Sequence, residues 1–179
     1  MLTIVRAPNQ VLSEKAKPVK KIDTEIVRLI ADMKKTLVSQ KDPEGVGLAA
    51  PQVAKSLQLF IIKPTLKVNE QVFINPHITI SEQKKKRKRK SSSTKLEGCL
   101  SLPSIWGEVQ RADTVTVSYQ NEDGKEQTET FTGFSATIIQ HEYDHLQGIL
   151  FPKRVLEQKG TLYKSHKEKG QEVFDPIDI

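Results

Sequence analysis

One cysteine, no apolar run long enough for a bilayer and no internal repeat: the chain is defined first by what it lacks. With Cys99 alone, no disulfide can close within the chain. No stretch approaches the roughly 18 consecutive apolar residues that mark a membrane span. The opening MLTIVRAPNQ lacks the basic, long apolar and small-residue succession of a secretory signal. Together these absences predict a cytoplasmic protein in a reducing compartment, with no membrane association. There a single cysteine serves as ligand, nucleophile or buried filler rather than as half a bridge. At 179 residues the chain can bury one core and is short for two ordinary domains, so a single domain over 1–179 is expected.

The formal charge of +6 suggests a nucleic-acid binder until its location is considered. Seven consecutive basic residues, Lys84 to Lys90, exceed that total and leave the rest of the chain at −1. The high pI therefore belongs to one segment, KKKRKRKSSSTK, and not to the body. No apolar periodicity runs through 83–95, which is expected to be a flexible basic loop.

Apolar residues recur at helical spacing from Ile22 to Val38, with Asp23 placed as the cap, so a helix is predicted there. It stops before KDPEG. LQLFII and QVFINP read as strands, and TVTVSYQ with KEQTETFTGF reads as a hairpin around the turn NEDG. A second helix is predicted from about Ser135 to Gln147, with Ser135 as its cap. Past Val155 the polar, weakly patterned sequence predicts a ragged C-terminal extension. The expected class is α+β, with short mixed or antiparallel strands around one central helix.

That second helix contains HEYDH. Four helical residues advance about 400°, so His141 and His145 lie one turn apart on one face with Glu142 beside them. Two imidazoles can hold one metal ion, and the glutamate is suited to take a proton from water acidified by that ion. The same spacing also occurs in exposed amphipathic turns. A catalytic metal needs a third protein ligand, and Cys99 in EGCLS would complete a set suited to Zn²⁺, Fe²⁺, Co²⁺ or Ni²⁺. The alternative for Cys99 is a small buried apolar residue. GVGLAAPQ offers two glycines for close backbone approach, and Gln52 offers an amide N–H for a developing oxyanion; glycines of this kind also mark ordinary turns.

In this order, GVGLAAPQ, EGCLS and HEYDH resemble the three signature motifs of the peptide deformylase family, and the likeness spans about Ile4 to Arg154. The resemblance implies removal of the formyl group from the N-terminal formyl-methionine of nascent polypeptides. It implies metal binding by Cys99, His141 and His145, with Fe²⁺ foremost and Zn²⁺, Ni²⁺ or Co²⁺ as variants. Glu142 would be general base and then acid. Gln52 and the Leu100 N–H would stabilise the oxyanion, and the Gly47 backbone would bind the peptide as an added strand. Val46, Leu100, Phe134, Thr137 and Ile138 would line the methionine pocket, with Arg111 and Asp144 in support. Trp106 stands where one branch of the family carries a peptide-holding arginine. The docking helix by which some members reach the ribosome is not evident in the tail, so contact with ribosomal RNA would fall to Lys84–Lys90.

Two other readings compete. A zinc peptidase would use the same helix with a downstream ligand such as Glu168. A nucleic-acid binder would use the basic run, although no aromatic residues interleave with it.

Overall fold

The computed structural model describes residues 1–41, 44–65, 67–80 and 96–178. The predicted basic loop at 83–95 lies outside the described residues. Helix α1 (Thr24–Ser39) starts where the sequence predicts, because the Asp23 carboxylate accepts from the backbone N–H groups of Glu25 and Ile26 at 3.1 Å each. Such a cap is worth about 1 kcal/mol.

Two antiparallel sheets follow. The first has the order β1 (Gly47–Ala49), β2 (Leu59–Ile62), β3 (Gln71–Ile80), β6 (Thr114–Gln120) and β7 (Glu126–Thr132). The second runs β4 (Leu96–Cys99), β5 (Leu102–Glu108), β8 (Leu162–Glu168) and β9 (Gln171–Pro176). Each named strand pair is antiparallel, which resolves the expected mixed or antiparallel character.

β2 explains the layering. Its LFII run is apolar throughout because both faces of the first sheet are covered. Leu59 and Ile61 point to the core shared with Leu29, Ile30, Met33 and Leu37 of α1. Phe60 and Ile62 point to the opposite core, shared with Ala136, Ile138, Ile139 and Leu146 of α2 (Gly133–Leu146). α2 is thereby packed on β1 and β2, next to the short 3₁₀ turn Ala50–Val53. The hairpin around NEDG forms as predicted: Asn121 Oδ1 accepts from Asp123 and Lys125, and Gly124 takes a φ of +77°.

Two expectations give way. α2 begins at Gly133 with Thr132 as N-cap, not at Ser135. Gly133 adopts a φ of +58°, so one residue turns strand β7 directly into the helix and no separate capping loop is needed. Beyond Val155 the chain is not ragged: α3 (Phe151–Glu157) buries Phe151 and Val155, and β8–β9 extend the second sheet.

Candidate active site

Two elements bring the donors together. α2 supplies His141, Glu142 and His145. β4 supplies Cys99 at its end, where the β4–β5 register shifts between Gly98 and Cys99; such an irregularity re-aims a side chain. The donor atoms of Cys99, His141 and His145 lie within 4.8 Å of one another, and Cys99 Sγ is 3.2 Å from His145 Nε2. All three side chains are largely buried.

The surrounding contacts fix which atoms face inward. His141 Nδ1 meets Glu97 Oε2 at 3.0 Å, which leaves Nε2 for the interior of the site. Glu97 is itself held by Arg111, whose Nε and Nη2 donate to its two oxygens at 2.8 and 3.0 Å. Arg111 Nη1 donates to Asp144 Oδ2 at 2.6 Å, and Asp144 also accepts from Arg154 Nη2 at 2.7 Å. Next to His141, the Gln140 amide grips the backbone of Ala112 through both N–H and C=O, tying the segment that carries Arg111 to α2.

Gln52 enters from the 3₁₀ turn. Its Oε1 accepts from the Ala49 N–H at 2.8 Å, which directs Nε2 toward Cys99 Sγ at 3.5 Å and Ser101 Oγ at 3.3 Å. Gly47 lies against Glu142: a Cβ at position 47 would fall 2.8 Å from Glu142 Cδ and closer still to Oε1.

The electrostatics follow from burial and pairing. Burial drives the Glu142 carboxyl up to about 7, against the pull of His141 and His145. Glu97 is buried too, yet hydrogen bonds from His141 and Arg111 outweigh that and hold it at about 2. Burial opposes a charged Cys99, but His145 and His141 bring the thiol well below its ordinary value. The site thus sets a thiol drawn toward its charged form beside two histidine rings, and among the described residues Glu142 Oε2 and His145 Nδ1 are buried without hydrogen-bond partners. A divalent ion fits this set. Tetrahedral bonds of about 2.1–2.3 Å put donors roughly 3.5 Å apart, and one thiolate with two imidazoles suits a borderline-soft metal.

A cavity of about 610 Å³ opens beside these groups. Val46, Gly47, Leu100, Phe134, Thr137 and Ile138 all line it, together with Gln52, Cys99, Arg111, His141 and Glu142. His145 and Asp144 sit behind its wall. The alternative third ligand, Glu168, lies exposed at the end of β8, outside the Cys99–His141–His145 group.

The family model described as polypeptide deformylase matches residues 1–160. The chain belongs to the polypeptide deformylase family. It is a metal-dependent hydrolase that removes the N-terminal formyl group from nascent polypeptides. The peptide deformylase of Pseudothermotoga lettingae is 42% identical over 144 residues, 79% of this chain and 75% of that protein. That of Chlorobium phaeovibrioides is 39% identical over 182 residues, 99% of this chain and 86% of that one. Among solved structures, the Thermotoga maritima peptide deformylase superposes with a TM-score of 0.73 at 35% identity, covering 86% of this chain and 97% of that one. A Synechococcus elongatus peptide deformylase in complex with actinonin gives 0.72 at 38% identity, over 86% and 78% of the two chains.

Sequence reasoning missed Glu97, Gln140 and Arg154 within this deformylase site. Glu97 stands two residues before the cysteine in EGCLS, and an acidic residue that close to a metal ligand is the signal that could have found it.

Proposed function

We propose that the whole of 1–179 acts as one deformylase domain in the cytoplasm, built around α2 as its central metal-binding helix. Cys99, His141 and His145 hold one divalent ion, Fe²⁺ by the family's habit, with Zn²⁺, Ni²⁺ or Co²⁺ as substitutes. The observation that carries this reading is the convergence of the three donor atoms beside a buried carboxylate oxygen that has no partner among the described residues.

When bound, the ion acidifies water and polarises the formyl carbonyl. Glu142 accepts a proton from the attacking water and returns it to the leaving amine nitrogen, so that water and formyl-amide become formate and a free amino terminus. A carboxyl near 7 is matched to both directions of that transfer. Gln52 Nε2, aimed by the Ala49 contact, donates to the oxygen that gains charge, and the Leu100 N–H is the second donor. Val46, Phe134, Thr137 and Ile138 receive the methionine side chain. Among the described residues β1 pairs only with β2 in its sheet, and its other edge, beginning at Gly47, takes the substrate as an added strand. Arg111 and Asp144 act through Glu97, keeping the Nδ1 side of His141 occupied, so that Nε2 would be left free to hold the ion.

The decisive experiment incubates metal-loaded protein with formyl-Met-Ala-Ser and, separately, with an unblocked peptide. Formate without new internal amines supports the reading, and cleavage of the unblocked peptide would replace it with a peptidase. Glu142→Ala should retain the metal and lose about 10² to 10⁴ in turnover. From its charge alone we also assign Lys84–Lys90 to contact with ribosomal RNA. Replacing the run with Ser/Gly should weaken salt-sensitive co-sedimentation with ribosomes and leave short-peptide turnover intact; unchanged co-sedimentation would remove that role.

A further inference from the structure

Trp106 forms part of the cavity wall, and the residues that hold it lie beyond the 1–160 matched to the family. In β5 it is flanked by Gly98 of β4 and Tyr163 of β8. Its ring lies over Gly98: a Cβ there would come within 2.8 and 2.9 Å of ring carbons Cζ3 and Cε3. The indole therefore covers the β4 backbone one residue from Cys99.

The C-terminal hairpin grips it from two directions. The indole Nε1–H donates to Ser165 Oγ at 3.0 Å, and Phe174 meets the ring edge to face, with centroids 5.6 Å apart and planes at 88°. Ser165 and Phe174 are direct cross-strand partners in β8 and β9, so a single rung of the hairpin makes both contacts. Neither residue lines the cavity.

We propose that Trp106, positioned by the Ser165–Phe174 rung, is a specificity platform for an apolar or aromatic side chain downstream of the substrate's formyl-methionine. The proposal rests on the deformylase reading above. Two observations give it its chemical sense. The one polar atom of the indole is spent on Ser165, so recognition is left to carbon surface and selects for apolar contact over hydrogen bonding. The cavity, at about 610 Å³, is the size that takes a drug-sized ligand rather than one side chain, so it extends past the methionine.

The test measures kcat and KM for formyl-Met-X-Ser and formyl-Met-Ala-X, with X as Ser, Phe or Lys. The parent should favour Phe over Ser by about tenfold in kcat/KM in one series, the size of an apolar pocket contact. Ser165→Ala and Phe174→Ala should lose most of that advantage through KM, with kcat on formyl-Met-Ala-Ser within about twofold of the parent. Trp106→Leu should lose it as well. Trp106 is the sole tryptophan, so emission reports the platform directly. In the metal-loaded Glu142→Gln protein, the favoured Phe peptide should shift emission saturably to the blue, and formyl-methionine amide should not. A preference for Lys, no Phe advantage in the parent, or an advantage that survives in all three variants would overturn the platform. Loss of formate release by the parent on every peptide would instead overturn the deformylase reading on which it stands.

Discussion

Substituting alanine for Gly47 places a methyl group where Glu142 already is. The added carbon would sit 2.8 Å from Cδ and 2.9 Å from Cγ, with Oε1 nearer still, whereas carbon atoms in contact prefer about 3.5–4.0 Å. The overlap approaches 1 Å, and one partner must move by that much. β1 is fixed by its pairing of Gly47 with Ile62 and buried along its whole length, so the backbone cannot retreat cheaply. The Glu142 side chain, buried on a packed helix, must therefore swing its carboxylate away from the cavity. A displacement of about 1 Å at a reacting group costs on the order of 10² in rate. We expect Gly47→Ala to lower kcat for formate release from formyl-Met-Ala-Ser by about that factor, with metal content per chain unchanged because no ligand is touched. The double variant Gly47→Ala/Glu142→Ala should be little slower than Glu142→Ala alone, since both act on one carboxylate. Parent-like kcat in Gly47→Ala would refute the assigned position of the base, and full additivity would show that Gly47 acts through something other than Glu142.

Cys99→Ser should reduce metal content measured by elemental analysis and activity together, because a hydroxyl is a poor ligand for a borderline-soft ion; full loading would remove Cys99 from the site. Glu97→Gln should weaken metal affinity by about 10- to 100-fold in a competitive chelator titration, since the amide holds the imidazole less firmly than the carboxylate does; unaltered affinity would make the Glu97–His141 contact incidental. Far from the site, burial and the hydrogen bond to Glu129 push Tyr119 up to about 12. A folded value above the unfolded 10 means its contribution to stability is intact below pH 10 and is lost as pH rises toward 12. Absorbance titration should show a tyrosine phase near pH 12 that moves to lower pH in Glu129→Gln; the lack of such a phase, or one that Glu129→Gln leaves in place, would contradict the assignment.

The parts of the site that are local in sequence were legible in it. HEYDH encodes its geometry in the helical repeat, and α1 and the β6–β7 hairpin announce themselves by periodicity and turn residues. What escaped depends on pairing across long separations. Glu97 lies 44 residues from His141, and Ser165 lies 59 from Trp106, so neither contact leaves a spacing signal. The hairpin β8–β9 was invisible for another reason. Only Leu162 and Ser165 of β8 are buried and β9 is exposed along most of its length, so neither strand carries the alternation that one apolar face would impose.

The two sheets also explain why the site lies where it does. β1 ends the first sheet and β4 ends the second, and both border the cavity through Gly47 and through Leu96–Cys99. An unpaired edge is a liability, since its N–H and C=O groups invite another chain. Here the edge strands border a cleft, which suits the added-strand reading proposed above. The same arrangement sets a demand on side chains. Where an edge strand lies against a buried carboxylate, position 47 has room for hydrogen alone; where the opposing edge passes beneath an indole, position 98 has the same limit. Glycine at these two positions is thus required by neighbouring side chains, not by backbone twist, since neither takes a positive φ.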